Sequence, residues 1–264
     1  PGPRADAPKA PPAANGALWQ RGEYLVNGPG HCSACHTPRN ALGAEKQGLH
    51  HLAGAQIDGW HAPSLQAKGL RTLPWTEAAL FSYLRHGHAP QGVAAGPMAE
   101  VVSGLQAAPD EDLRAMAHYL ATLQGQPQEA AVEQAAQQAV KAAQALAPLP
   151  GSTQRLFEAA CGACHSEGRA PVELGRNLPL ALNGKVRDAQ PDDLLRVLLQ
   201  GIQKPATGEI GFMPSFAHAL DDTQLADLAG WMRRRYAPDQ PPWPEGPALV
   251  QRVGSLRASP RRDH

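Results

Sequence analysis

All four cysteines of this 264-residue chain fall in two copies of one pattern, Cys32-Ser33-Ala34-Cys35-His36 and Cys161-Gly162-Ala163-Cys164-His165. Two thiols three positions apart, followed directly by an imidazole, are the arrangement that attaches c-type haem. The thiols bond to the porphyrin vinyl groups, and the histidine reaches the iron from the proximal side. A single Cys-x-x-Cys would also suit a thioredoxin-like redox pair or half of a zinc site. Two copies with histidine at the same offset, no spare cysteine and no βαβ pattern nearby argue against both. A zinc site would also need the two motifs brought together, whereas each sits in its own repeat. The expected cofactors are two haem c groups, on Cys32 and Cys35 with His36, and on Cys161 and Cys164 with His165. The implied chemistry is electron transfer.

What holds the far side of each iron decides between a closed carrier and an open, reactive centre. Of four methionines, Met116 and Met232 fall on apolar helical stripes and read as core residues. Met98 in Gly96-Pro97-Met98 and Met213 in Phe212-Met213-Pro214 read as loop residues at matching places in the two halves, each a similar distance beyond Gly87 or Gly201. These two are the expected distal ligands. The competitors are His86, His88, His50, His51 and His61 in the first half and His218 in the second.

The elements that must position these residues repeat along the chain. Each half reads as a short helix, the Cys-x-x-Cys-His motif, a Gly/Pro-rich stretch, a middle helix, a methionine loop and a final amphipathic helix. The middle helices are expected over 76–85 and 191–200, and the final ones over 110–123 and 221–236. Pro191 suits a first turn, Asp221 with Gln224 makes a capping box, and Asp110, Glu111 and Asp112 complement a helix N-terminus. Leu113, Met116, Leu120 and Leu123, like Leu225, Leu228 and Met232, recur at helical spacing. Residues 127–147, rich in Ala, Gln and Glu, read as a connecting helix broken by Pro148-Leu149-Pro150.

The fold expected is all-α, two tandem haem domains joined by an Ala-rich helical linker. Its boundaries are an extended N-terminal segment 1–19, domain 1 over 20–124, linker 125–150, domain 2 over 151–236 and an extended C-terminal tail 237–264 rich in Pro, Gly and Arg. Arg233-Arg234-Arg235 reads as a solvated helix end. Formal net charge is zero, which gives no support for nucleic-acid binding or for steering to an anionic membrane. No apolar run approaches the roughly 20 residues that span a bilayer, and the start at Pro1-Gly2-Pro3 reads as a processed or trimmed chain. Because haem c is attached outside the cytoplasm, the expected place is the periplasm, at the outer face of the cytoplasmic membrane, with membrane association only through a partner or a missing segment.

These residues resemble the class I cytochrome c fold twice over. Gly22-Glu23-Tyr24-Leu25-Val26, the stretch from Gly30 through Asn40, Gly59-Trp60-His61-Ala62-Pro63, and Met98 with Glu100-Val101-Val102 resemble the second haem domain of bacterial alcohol dehydrogenase cytochrome subunits. Phe212-Met213-Pro214-Ser215-Phe216, Leu220-Asp221-Asp222 and Arg235-Tyr236-Ala237-Pro238 resemble the last haem domain of subunits that serve molybdenum hydroxylases of the nicotinate or isoquinoline type. Such subunits usually carry three haems, and residues 1–19 resemble the linker that follows a first domain. The resemblance implies a respiratory-chain subunit that is not itself an enzyme. Its donor would be a partner dehydrogenase, a quinoprotein or molybdenum hydroxylase, and its acceptor quinone, another cytochrome or a terminal oxidase. The enzymatic alternative is a diheme peroxidase, which needs one haem with an open or displaceable sixth position.

Overall fold

Trp19, Gly22 and Val26 recur every three to four residues and form the buried stripe of the first helix, α1 (Gly16–Asn27). The computed structural model describes residues 16–67, 73–147, 151–165 and 178–259. After α1 come α2 (Ser33–His36), strands β1 (Ala55–Ile57) and β2 (Trp60–Ala62), α3 (Glu77–His86), strands β3 (His88–Ala89) and β4 (Gly92–Val93), α4 (Pro97–Leu105) and α5 (Asp110–Leu123). Then follow α6 (Glu129–Ala145), α7 (Ser152–Ala160), α8 (Gly162–His165), α9 (Gly184–Arg187), α10 (Asp192–Gln200), α11 (Asp222–Tyr236) and α12 (Pro247–Ala258). Helices dominate, and the strands form two small antiparallel hairpins, β1 with β2 and β3 with β4.

Contacts divide the chain into two units, the first holding residues 16–67, 74–85 and 104–132, the second residues 73, 86–103 and the described residues from 133 onward. The division departs from the expected boundaries, since β3, β4 and α4 up to Ser103 join the second unit. The expected break at Pro148-Leu149-Pro150 and residues 1–15 lie outside the described residues.

In the first unit α1 crosses α5 at very short range. A Cβ on Gly22 would lie 2.0 Å from the Ala115 carbonyl oxygen and 2.7 Å from Tyr119 Cβ, so only glycine allows this approach. Around it, Trp19 stacks edge-on against Tyr119 with centroids 5.2 Å apart, and its indole N–H donates to Thr122 Oγ1 at 3.0 Å. Val26, Leu52, Leu80, Leu84, Leu113, Met116 and Leu120 complete this core. The α5 bounds match the expected 110–123, and α3 starts after Thr76, whose hydroxyl accepts from the Ala79 amide at 3.1 Å.

The second unit is built on α11. Asp221 caps it, accepting from the Gln224 amide at 2.8 Å while the Gln224 side chain accepts from the Asp221 amide at 3.0 Å, the capping box read from the sequence. Phe157 of α7 meets Trp231 at 4.9 Å and Tyr236 at 5.8 Å between centroids. Against them pack Leu194, Leu195 and Leu198 of α10, whose N-cap is Pro191.

The C-terminal tail is not extended as expected. Pro247 opens α12, and Leu249, Val253 and Leu256 bury one face of it in the core of the second unit. Arg252 pairs with Asp192 and Arg257 with Asp222, which ties α12 to the first residues of α10 and α11. In the arginine run of α11, read as a solvated end, Arg234 is exposed but Arg233 and Arg235 are drawn in. Arg233 is buried, donates to the carbonyls of Val186 at 2.6 Å and Pro241 at 2.9 and 3.0 Å, and lies 4.7 Å over the Trp243 ring. Arg234 pairs with Glu245, and Arg235 donates to the Ala143 carbonyl of α6. The returning tail supplies acceptors that a linear reading of the helix end does not contain.

Arg187 of α9 also holds the tail, pairing with Asp239. Burial by itself would raise the Asp239 pKa, but hydrogen bonds from Arg187 and Gln240 outweigh it and hold the carboxyl below its ordinary value. A lowered folded-state pKa contributes stability above the unfolded value of about 4 and loses it as pH falls through the folded one. Asp239→Asn should therefore lower thermal stability at pH 7, by about 1 kcal/mol or less because Asp239 is half-exposed. The gap from the unaltered protein should close in acid, which melting curves at pH 7 and near pH 3 would show.

Candidate haem-binding sites

In the first unit, the chain leaves α1 through a turn in which Gly30 donates to the Leu25 carbonyl at 2.8 Å and Cys32 to that of Val26 at 3.1 Å. It then makes the single turn of α2. Residues three and four apart lie on one face of such a turn, so Cys32, Cys35 and His36 share a face. His36 is buried, and its Nδ1 is 2.7 Å from the Pro63 carbonyl oxygen. A carbonyl only accepts, so Nδ1 carries the proton and Nε2 is left as the metal-binding nitrogen. Burial pushes the His36 pKa down, with the Pro63 bond opposing it, which keeps the ring in the neutral form an iron requires.

The β1–β2 hairpin delivers Pro63. Gly54, just before it, donates to the His36 carbonyl at 2.8 Å with φ of 87°, and a Cβ there would fall 2.8 Å from the Ser64 amide nitrogen. Thr37 is buried beside the motif and its hydroxyl accepts from the Leu52 amide at 2.9 Å. Burial pushes the Cys32 thiol up to about 11. A thioether in its place carries no ionisable group into that dry setting.

In the second unit Cys161 ends α7, and Cys164 and His165 lie on α8. Burial pushes the Cys161 thiol up to about 11 and the His165 pKa down. His165 Nδ1 is buried with no hydrogen-bond partner among the described residues. Cys161, Cys164, His165 and Met213 all line one apolar cleft, walled by Phe157, Leu180, Val186, Leu194, Val197, Leu198, Ile202, Ile210, Phe216 and Met232 and by Val93 and Ala95 of the 86–103 segment. The cleft suits a flat, apolar macrocycle with two sulfur attachments and two axial ligands, so these residues fit a haem. Among the described residues, Asn183 and Lys185 are the hydrogen-bonding side chains in its wall besides the histidine and cysteines.

Met213 reaches the cleft because α10 stops at Gly201. There φ is 70°, and a Cβ would sit 2.4 Å from the Met213 carbonyl oxygen. Ile202 and Met213 then exchange backbone hydrogen bonds at 2.9 and 3.2 Å. His218 lines a different, shallow surface depression beside the start of α11.

Met98 is not in a loop. It occupies the first turn of α4, behind Pro97, half-buried, and it clusters with the second unit, so neither unit by itself brings it to His36. His86 Nδ1 and His88 Nε2 share the Glu209 carboxylate, at 2.6 and 3.1 Å, and His51 Nε2 bonds Asn27 Oδ1 at 2.8 Å. Sequence reading missed Lys185, whose place in the cleft wall depends on packing that no local pattern announces. The Pro63 carbonyl role was also missed, although Gly59-Trp60-His61-Ala62-Pro63 carries part of the family resemblance.

Residues 19–124 match the family described as cytochrome c, and residues 149–232 match that described as cytochrome c oxidase, cbb3-type, subunit III. The chain is a tandem cytochrome c. Among its relatives, a nicotinate dehydrogenase subunit of Pseudomonas putida is 46% identical over 251 residues, covering 95% of this cytochrome and 20% of that protein. The fructose dehydrogenase cytochrome subunit of Gluconobacter japonicus is 33% identical over 81% of this chain and 48% of its own length. The cytochrome c subunit of the quinone alcohol dehydrogenase of Gluconobacter oxydans is 34% identical over 84% and 48%. This cytochrome thus spans about half of the latter two relatives and a fifth of the first. None of these three names a peroxidase, so the alternative enzymatic reading finds no support among them. Among the described residues no helix is long and apolar enough to cross a membrane.

Proposed function

We propose that this cytochrome holds two haem c groups and relays electrons from a dehydrogenase to quinone, another cytochrome or a terminal oxidase. Cys32, Cys35, Cys161 and Cys164 carry the covalent bonds, His36 and His165 are the proximal ligands, and Met98 and Met213 the distal ones. When bound, haem c supplies a one-electron ferric–ferrous couple. The chain's part is to hold the iron on both sides, keep water from the ring and present an edge to partners. The observation that carries this reading is the second cleft, where two thiols, an imidazole and a thioether line one apolar cavity.

The dehydrogenase names of the relatives support a donor of the molybdenum-hydroxylase or quinoprotein kind. Attachment of haem c outside the cytoplasm places the protein in the periplasm, at the outer face of the membrane through its partners. Anaerobic mixing of the oxidised cytochrome with its co-purified dehydrogenase and that enzyme's substrate should reduce the haems within turnover, and a short-chain quinone or oxidised cytochrome should reoxidise them. Haems that dithionite reduces but the working dehydrogenase does not would overturn the reading.

A further inference from the structure

Lys185 stands out in the second cleft because it brings a positive charge into an apolar wall with no ion pair among the described residues. Its backbone is fixed by the α9 N-cap, where Asn183 Oδ1 accepts from the Lys185 amide at 2.9 Å and the Val186 amide at 3.4 Å. The ammonium donates to the Val93 carbonyl oxygen at 3.3 Å, its one hydrogen bond among the described residues. That bond is long, and a carbonyl carries no charge to balance it. Asp188 and Asp193 act on Lys185 only through space, while burial opposes its charge. A cation so placed is costly unless an anion joins it in the same dry site.

We propose that Lys185 Nζ, with the Asn183 amide N–H₂ beside it, binds a propionate carboxylate of the haem in the second cleft. This rests on the reading that Cys161 and Cys164 carry a haem. Asn183 suits the role because its oxygen is committed to the helix cap, which leaves only its donors for a ligand. An ammonium and an amide on one carboxylate make a charge-assisted pair that fixes the ring's rotation in the cleft. The same charge tunes the site: reduction adds an electron, so a nearby cation favours the ferrous state.

The test is a redox titration of the holoprotein with Lys185→Met, Lys185→Gln and Lys185→Arg, the second haem's couple being identified as the one that Met213→His lowers. Lys185→Met should lower the ferrous-to-ferric ratio of the second haem on the order of tenfold at fixed ambient potential, the effect of a unit charge at about 10 Å and an effective dielectric near 20. Lys185→Arg should keep the ratio, and the first haem should not change. If Lys185→Met does not mature, Gln against Arg decides: a fall with Gln alone supports the proposal, and equal potentials overturn it. A mere tie from α9 to Val93 would cost thermal stability in the variants and leave both potentials in place, which also overturns it. A pyridine haemochrome count on the unaltered protein separates the two failures, because a missing second haem refutes the underlying reading instead.

Discussion

Replacing both Cys161 and Cys164 by alanine should leave a protein with one covalent haem and a second unit that no longer melts cooperatively. The second core is arranged around its cleft: Phe157, Leu194, Leu198 and Met232 each face both the cleft and the packed interior. At about 25 cal/mol per Å² of apolar surface removed from water, covering a porphyrin is worth on the order of 10 kcal/mol. Domains are stable by only about 5–15 kcal/mol, so the loss is comparable to the whole. The first unit keeps its own core around Gly22, Tyr119 and Leu113 and should retain its haem. Mass spectrometry of the denatured variant and calorimetry would show the two effects together. Loss of both haems, or of neither, would contradict the assignment of one motif to each unit.

Met213→His should lower the potential of the second haem by tenths of a volt, within the about 0.8 V that axial ligands span. The unaltered protein should show the weak near-infrared sulfur-to-iron band when oxidised and should not bind carbon monoxide when reduced. Met213→Ala should open the iron to carbon monoxide at the second haem alone. The matching change at Met98 should act on the first haem alone. A bis-histidine spectrum in the unaltered protein would transfer the role to His218, His86 or His88.

The helices were legible where periodicity and caps agree: α5 carries acidic residues in its first turn and a repeating apolar stripe, and Asp221 with Gln224 fixed the start of α11. The motif residues that line the second cleft, Cys161, Cys164 and His165, were legible because covalent haem attachment would dictate their spacing. What escaped depends on long-range return of the chain. The spacing of Leu249, Val253 and Leu256 is helical, yet Pro, Gly and Arg around it read as an extended tail. Arg233 looked solvated because its acceptors, the carbonyls of Val186 and Pro241, are contributed by other elements. Met98 read as a loop residue, although Pro97 is well suited to open a helix.

The most direct measurement is the intact mass of the denatured, unaltered protein isolated from a host that matures haem c. Two covalent haems per chain, one on each peptide containing Cys32 and Cys35 or Cys161 and Cys164 after digestion, is the predicted result. One haem or none on a fully matured chain would contradict the reading of both motifs as haem sites.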